Sequence, residues 1–252
     1  MDKLDKPLLL LKLGTATLTK GGARISRAKL EDIAAQVVEI RADYEVVLVC
    51  SGAIAAAKQF TKLEKFGDGI TEKQALAAVG QPFLMRLIYE SFRDFGLPVG
   101  QCLLSYPDFH NPTSRENIRN TIHELLKNDV LPIINENDTT ATEELKFGDN
   151  DKLSALTSCL LSARMLVIAS NTFGIYDAAG NTVTQIENPE SVRHLIRDEK
   201  SAQGTGGMHS KLDAVAIARA ADIECRIVNG HEDNFLLRVL KEETAYSRFT
   251  KK

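Results

Sequence analysis

Short apolar runs alternate with longer amphipathic stretches along nearly the whole chain, and that rhythm limits the possible folds more than any other feature of it. The runs Pro7 to Leu13, Val46 to Cys50, Pro98 to Leu104, Val130 to Asn135, Met165 to Ala169 and Glu224 to Val228 have the length and composition of buried strands. Between them lie helical patterns. Ser26 is placed to cap a helix whose Leu30, Ile33, Val37 and Ile40 share one face. Thr71 to Phe95 reads as a helix with a kink or break at Gly80-Gln81-Pro82. Ser114 to Lys127, Leu153 to Leu161, Met208 to Ala221 and Asp233 to Leu240 complete the helical set, and Gly174 to Asn181 reads as a small hairpin. Alternation of this kind predicts an α/β fold, a three-layer αβα sandwich around a mostly parallel sheet. No repeat, low-complexity segment or linker divides residues 1–252, so a single domain is expected.

Composition removes several classes of function. A net charge of −3 with no Lys/Arg-rich run gives no electrostatic footprint for nucleic acid. No segment reaches the roughly 18 apolar residues of a membrane span. Met1 to Lys6 is too charged for a signal peptide. Cys50, Cys102, Cys159 and Cys225 are widely spaced in apolar surroundings, as core thiols of a reducing cytoplasm are. The five histidines lack metal-ligand spacing, and no Ser or Cys sits in a nucleophile elbow. These absences favour group transfer by positioning and charge over hydrolysis or zinc chemistry.

Ligands of parallel sheets bind beyond the carboxyl ends of the strands, and four such ends carry unusual residues. Lys12, inside the first apolar run and followed by Gly14, either faces phosphate oxygens or snorkels from an edge strand. Ser51-Gly52-Ala53 either admits a ligand to the backbone and a helix start, or is a tight βα turn. After the fourth strand comes a crowd of acids and amides, INENDTT and then EELKFGDNDK. Within it, Asp138, Asn150 and Asp151 could hold an ammonium group, order lysines or sit near Mg²⁺, while Asp149 or Asn150 could instead cap the next helix. Finally, Gly204-Thr205-Gly206-Gly207-Met208 precedes a helix that carries Lys211. It matches neither the Walker A nor the dinucleotide spacing, and is either a phosphate cradle or a flexible linker.

Together these segments resemble the amino acid kinase family, and within it the kinases that phosphorylate the side-chain carboxylate of L-glutamate. The matching blocks are LLKLGTATLT, ISRAKLEDIAAQV, VVLVCSGAIAAA, QALAAVGQP, PIINENDTTATEELKFGDNDKLSAL and GTGGMHSKLDAVAIARAADIECRIVNG, in order from about Leu10 to Leu240. The resemblance implies ATP and Mg²⁺ as cosubstrate and cofactor, glutamyl 5-phosphate as product, and a place at the first step of proline biosynthesis. It implies a glutamate lobe of about 1–162 and a nucleotide lobe of about 163–252. Lys12, Asp151 and Lys211 would be catalytic, with Asp151 organising the lysines. Ser51, Gly52, Asp138 and Asn150 would bind glutamate. ATP would meet Lys12, Ser170, Asn171, Thr205, Gly206, Gly207, Met208 and Lys211. A homo-oligomer and feedback inhibition by proline are implied as well.

Three departures from the family pattern stand out. Ser170-Asn171 replaces a frequent Thr-Asp, which removes an acid from the nucleotide hairpin. Cys50 stands where serine is frequent and is expected to be silent packing. The chain stops soon after Leu240, so a form without the C-terminal PUA domain is expected. Rival readings are a family member acting on acetylglutamate, a carbamate or a phosphate monoester, and a sensor that binds glutamate or proline without turnover. An acid at Asp138 favours a substrate with a free amine over a blocked one.

Overall fold

The computed structural model describes residues 5–60, 67, 69–140, 150–196 and 207–250. Their strands form one eight-stranded sheet in the order β3-β4-β2-β1-β5-β7-β8-β6. The strands are β1 (Leu8–Leu13), β2 (Glu45–Cys50), β3 (Val99–Leu104), β4 (Leu131–Glu136), β5 (Met165–Ser170), β6 (Gln185–Ile186), β7 (Glu224–Asn229) and β8 (Ser247–Phe249). All neighbours pair in parallel except β7 with β8. The six sequence-predicted strands are β1 to β5 and β7. The two-residue β6 and the three-residue β8 were too short to produce a readable apolar pattern.

Each central strand alternates between two cores. Leu8 and Leu10 of β1 join Val47, Val49, Leu166, Ile168 and Ile227 on one face. That face is covered by α5 (Pro112–Lys127), α6 (Asp151–Leu161) and α7 (Met208–Ala220). Leu9, Leu11 and Leu13 point the other way, with Val46, Leu48, Val167 and Ala169. Covering this second face are α1 (Thr15–Thr19), α2 (Arg27–Ile40), α3 (Ala53–Phe60), α4 (Ile70–Arg93) and α8 (Phe235–Leu240). The period of two in the strands is what makes the predicted three-layer sandwich. Ser26 caps α2 as expected, accepting from the Lys29 amide. Residues 174–181 form the expected turn, closed by a Tyr176–Thr182 bridge.

Of the kink or break expected at Gly80-Gln81-Pro82, the break does not occur, because helix α4 runs through all three residues. Proline costs a helical hydrogen bond, but the face bearing Leu76, Ala77, Leu84, Ile88 and Phe92 is buried on both sides of it. Gly80 also has a positive function there. A Cβ at this position would lie 1.8 Å from the Ala53 carbonyl oxygen, so only glycine lets α4 lie against the start of α3. That contact holds the Ser51–Gly52 turn from behind, and Gly52 itself sits at φ +111°. Strand β1 is central, flanked by β2 and β5, and the chain crosses over it through α6 between β4 and β5. The strand order therefore reverses at β1, which places the expected ligand crevice at its carboxyl end.

Candidate active site

Lys12 is the penultimate residue of β1 and shares the parity of Leu8 and Leu10. Its side chain consequently points to the face carrying α6 and α7, and not out of an edge strand. There it meets Asp151, the first residue of α6, at 2.5 Å. Lys211, in the first turn of α7, reaches the other oxygen of the same carboxylate at 2.9 Å. Lys12 is 2 % exposed, Asp151 0 % and Lys211 7 %. Burial alone would raise the Asp151 carboxyl, yet the two ammonium groups hold it down at about 2. Its place in the first turn of α6 adds the favourable end of the helix dipole. Two buried cations share one anion, so this cluster of three side chains keeps an excess positive charge that suits a phosphate.

A polar cluster lies where β2, β4 and α6 meet. Asn135, near the end of β4, donates to Gln81 Oε1 of α4 at 2.8 Å. Its Oδ1 accepts from the Glu136 amide at 2.9 Å and from Asn150 Nδ2 at 2.7 Å. Asn150 Nδ2 also donates to the Cys50 carbonyl at 2.9 Å, tying α6 to the end of β2 beside Ser51. Asn150 occupies the N-cap position of α6, but its side chain makes no cap bond. The two sequence readings of Asn150 thus separate: its backbone begins the helix, while its amide serves the cluster. Asp138, two residues past β4, is 9 % exposed, and burial pushes its carboxyl up to about 6. Ser51 is buried as well.

The remaining expected residues fall into two groups. Ser170 ends β5 one position beyond the Leu13–Ala169 register pair, so it shares the sheet edge with Lys12. It is buried, whereas Asn171 is exposed and only accepts from the Ser170 hydroxyl at 3.4 Å. Gly207 is the N-cap of α7 with open space where a side chain would be, and Met208 is half-buried. Thr205 and Gly206 lie outside the described residues, as do Glu143, Glu144 and Asp149. Asn135 and Gln81 belong to the polar cluster although sequence reasoning gave neither a role. The usable signal for Gln81 was an amide among the apolar positions of a buried helix. Cys50 packs as expected, with burial pushing its thiol up to about 12. Among the described residues no helix is long and apolar enough to cross a membrane, and no three His, Cys, Asp or Glu side chains cluster to hold a metal.

A parallel sheet with a lysine–aspartate–lysine cluster at its switch point defines a class, and the family comparison agrees. Residues 7–229 match the amino acid kinase family, and the chain belongs to that family. Its similar relatives include the glutamate 5-kinase of Shewanella oneidensis, 39 % identical over 250 residues, which are 96 % of this chain and 67 % of the relative. The glutamate 5-kinase of Herpetosiphon aurantiacus is 40 % identical over an alignment of 257 positions that covers 99 % of this chain and 70 % of that protein. Among solved structures, a UMP kinase from Ureaplasma parvum superposes with a TM-score of 0.64 at 15 % identity, covering 98 % of this chain and all of that one. At that identity the likeness concerns the fold.

Proposed function

We propose that this chain is an ATP-dependent glutamate 5-kinase, transferring the γ-phosphoryl group to the side-chain carboxylate of L-glutamate at the first step of proline biosynthesis. The observation that carries the reading is the Lys12–Asp151–Lys211 cluster, set beside a buried amide and acid cluster at one end of the sheet. Residues of about 1–162 form the glutamate side of the site and about 163–252 the nucleotide side. The enzyme acts in the cytoplasm, as a homo-oligomer open to feedback by proline.

Phosphoryl transfer asks little covalent work of a protein; alignment and neutralisation of charge on the oxygens in flight suffice. Lys12 and Lys211 supply that charge from two elements, and Asp151 holds both ammonium groups in register. Ser51, Gly52, Asp138 and Asn150 receive glutamate. Of these, Asp138 and Asn150 offer acceptors suited to its ammonium group. Ser170, Asn171, Gly207 and Met208 are assigned to the nucleotide side with the two lysines, and the resemblance assigns Thr205 and Gly206 to it as well. Mg²⁺ would be held chiefly by the nucleotide, and among the described residues no three acids or histidines cluster to hold it. Bound there, it would add neutralising charge; the lysines and Asp151 are positioned independently of it.

The test is ADP release by the purified chain with Mg²⁺-ATP and glutamate, with acetylglutamate in parallel. Glutamate-dependent turnover is expected. Turnover with acetylglutamate alone would overturn the substrate assignment, and no ADP release with either would favour a binding protein without catalysis.

A further inference from the structure

The amide cluster has a fixed polarity. The Glu136 backbone amide can only donate, so the Asn135 atom facing it must be the oxygen. The Cys50 carbonyl can only accept, so the Asn150 atom facing it must be the nitrogen. Backbone groups at both ends therefore identify which way each asparagine amide is turned, and Asn150 is left presenting Oδ1. That oxygen is buried without a hydrogen-bond partner among the described residues, and so is Asp138 Oδ1. An orphaned buried acceptor is destabilising, and a ligand donor would relieve it.

One bond remains to complete the arrangement. With its oxygen committed to Glu136 and Asn150, Asn135 has a buried amino group whose acceptor is Gln81 Oε1, and Gln81 is itself nine-tenths buried on α4. We propose that Gln81 is a positioning residue for the acceptor substrate: through Asn135 it locks Asn150 with Oδ1 turned toward the substrate's ammonium group. Gly80 complements this function by seating α4 against α3, so the helix cannot drift and carry Gln81 away. The inference rests on the glutamate 5-kinase reading and adds to it a residue from an element that does not itself hold substrate.

Gln81→Met keeps the volume and removes the acceptor. We expect the KM for glutamate to rise about tenfold, with the KM for ATP and kcat changed by less than about threefold, the scale of one lost buried hydrogen bond felt on one substrate. Gln81→Glu, which retains an acceptor for Asn135, should recover most of the glutamate KM. An unchanged glutamate KM in Gln81→Met, or equal losses for glutamate and ATP, would overturn the proposal. If Gln81→Met does not fold, the wild-type protein labelled with ¹⁵N at Asn and Gln decides. The side-chain amide resonance of Asn135, which donates to Gln81 Oε1, should be protected from exchange and shift with glutamate but not with ATP; fast exchange or no shift refutes the assignment. Wild-type protein that turns over no glutamate would instead sink the functional reading.

Discussion

Replacing Asp151 by asparagine removes one charge and almost no volume from the centre of the site. In the native protein both oxygens of this carboxylate are engaged, by Lys12 at 2.5 Å and Lys211 at 2.9 Å, and the residue is 0 % exposed. An amide can accept from one ammonium but turns its NH₂ toward the other, and the carboxylate charge that both buried cations share is gone. Removing one partner of a buried ion pair costs about 3–5 kcal/mol. For a chain of this size that corresponds to a loss of roughly 6–20 °C in Tm. Turnover should fall further than stability requires, because the lysines lose their register; a drop of about 10²–10³ in kcat matches the loss of one electrostatic stabiliser. Mg²⁺-ATP should narrow the Tm difference, since its phosphates return the missing negative charge. The assays are coupled ADP release and thermal unfolding with and without nucleotide. A kcat within about threefold of wild type, in a variant that folds, would refute the electrostatic role assigned here.

Three further outcomes are expected. Lys211→Ala should also lower kcat by about 10²–10³, read by the same ADP assay, while far-UV circular dichroism stays that of the wild type. Burial raises the Asp138 carboxyl to about 6, so its contribution to stability is complete below the ordinary carboxylate range and is lost as pH climbs through about 6. Asp138→Asn should flatten that part of the Tm-against-pH curve, and in the wild type the KM for glutamate should fall over the same interval as the carboxylate ionises to meet the ammonium. Gly80→Ala places a methyl group 1.8 Å from the Ala53 carbonyl oxygen, against backbone that cannot step aside. It should cost about 1–3 kcal/mol or more, measured by denaturant unfolding.

The alternation of apolar runs was enough to predict six strands and the three-layer sandwich, since a strand buried on both faces must be apolar throughout. Lys12 interrupts such a run, and that anomaly was legible as a site. Its position at the strand end was legible too, but not that β1 is central, because strand order depends on crossovers that periodicity does not encode. Of the kink or break allowed at Pro82, the break does not occur, because packing on both sides outweighs one lost hydrogen bond. Asn150 could be read as cap or ligand, and only the Cys50 carbonyl, 100 residues away in sequence, decides where its amide points. Gln81 and Asn135 escaped notice for the same reason: their meaning lies in a contact across 54 residues.

The central claim is that Lys12, Asp151 and Lys211 move phosphate onto glutamate. The direct measurement is ³¹P and ADP analysis of a reaction containing the purified chain, Mg²⁺-ATP and glutamate, with hydroxylamine present to trap acyl phosphate as the hydroxamate. Glutamate-dependent formation of ADP and γ-glutamyl hydroxamate in equal amounts, strongly reduced in Lys211→Ala, is the predicted result. ADP formed without hydroxamate, or hydroxamate formed equally well by the variant, would contradict it.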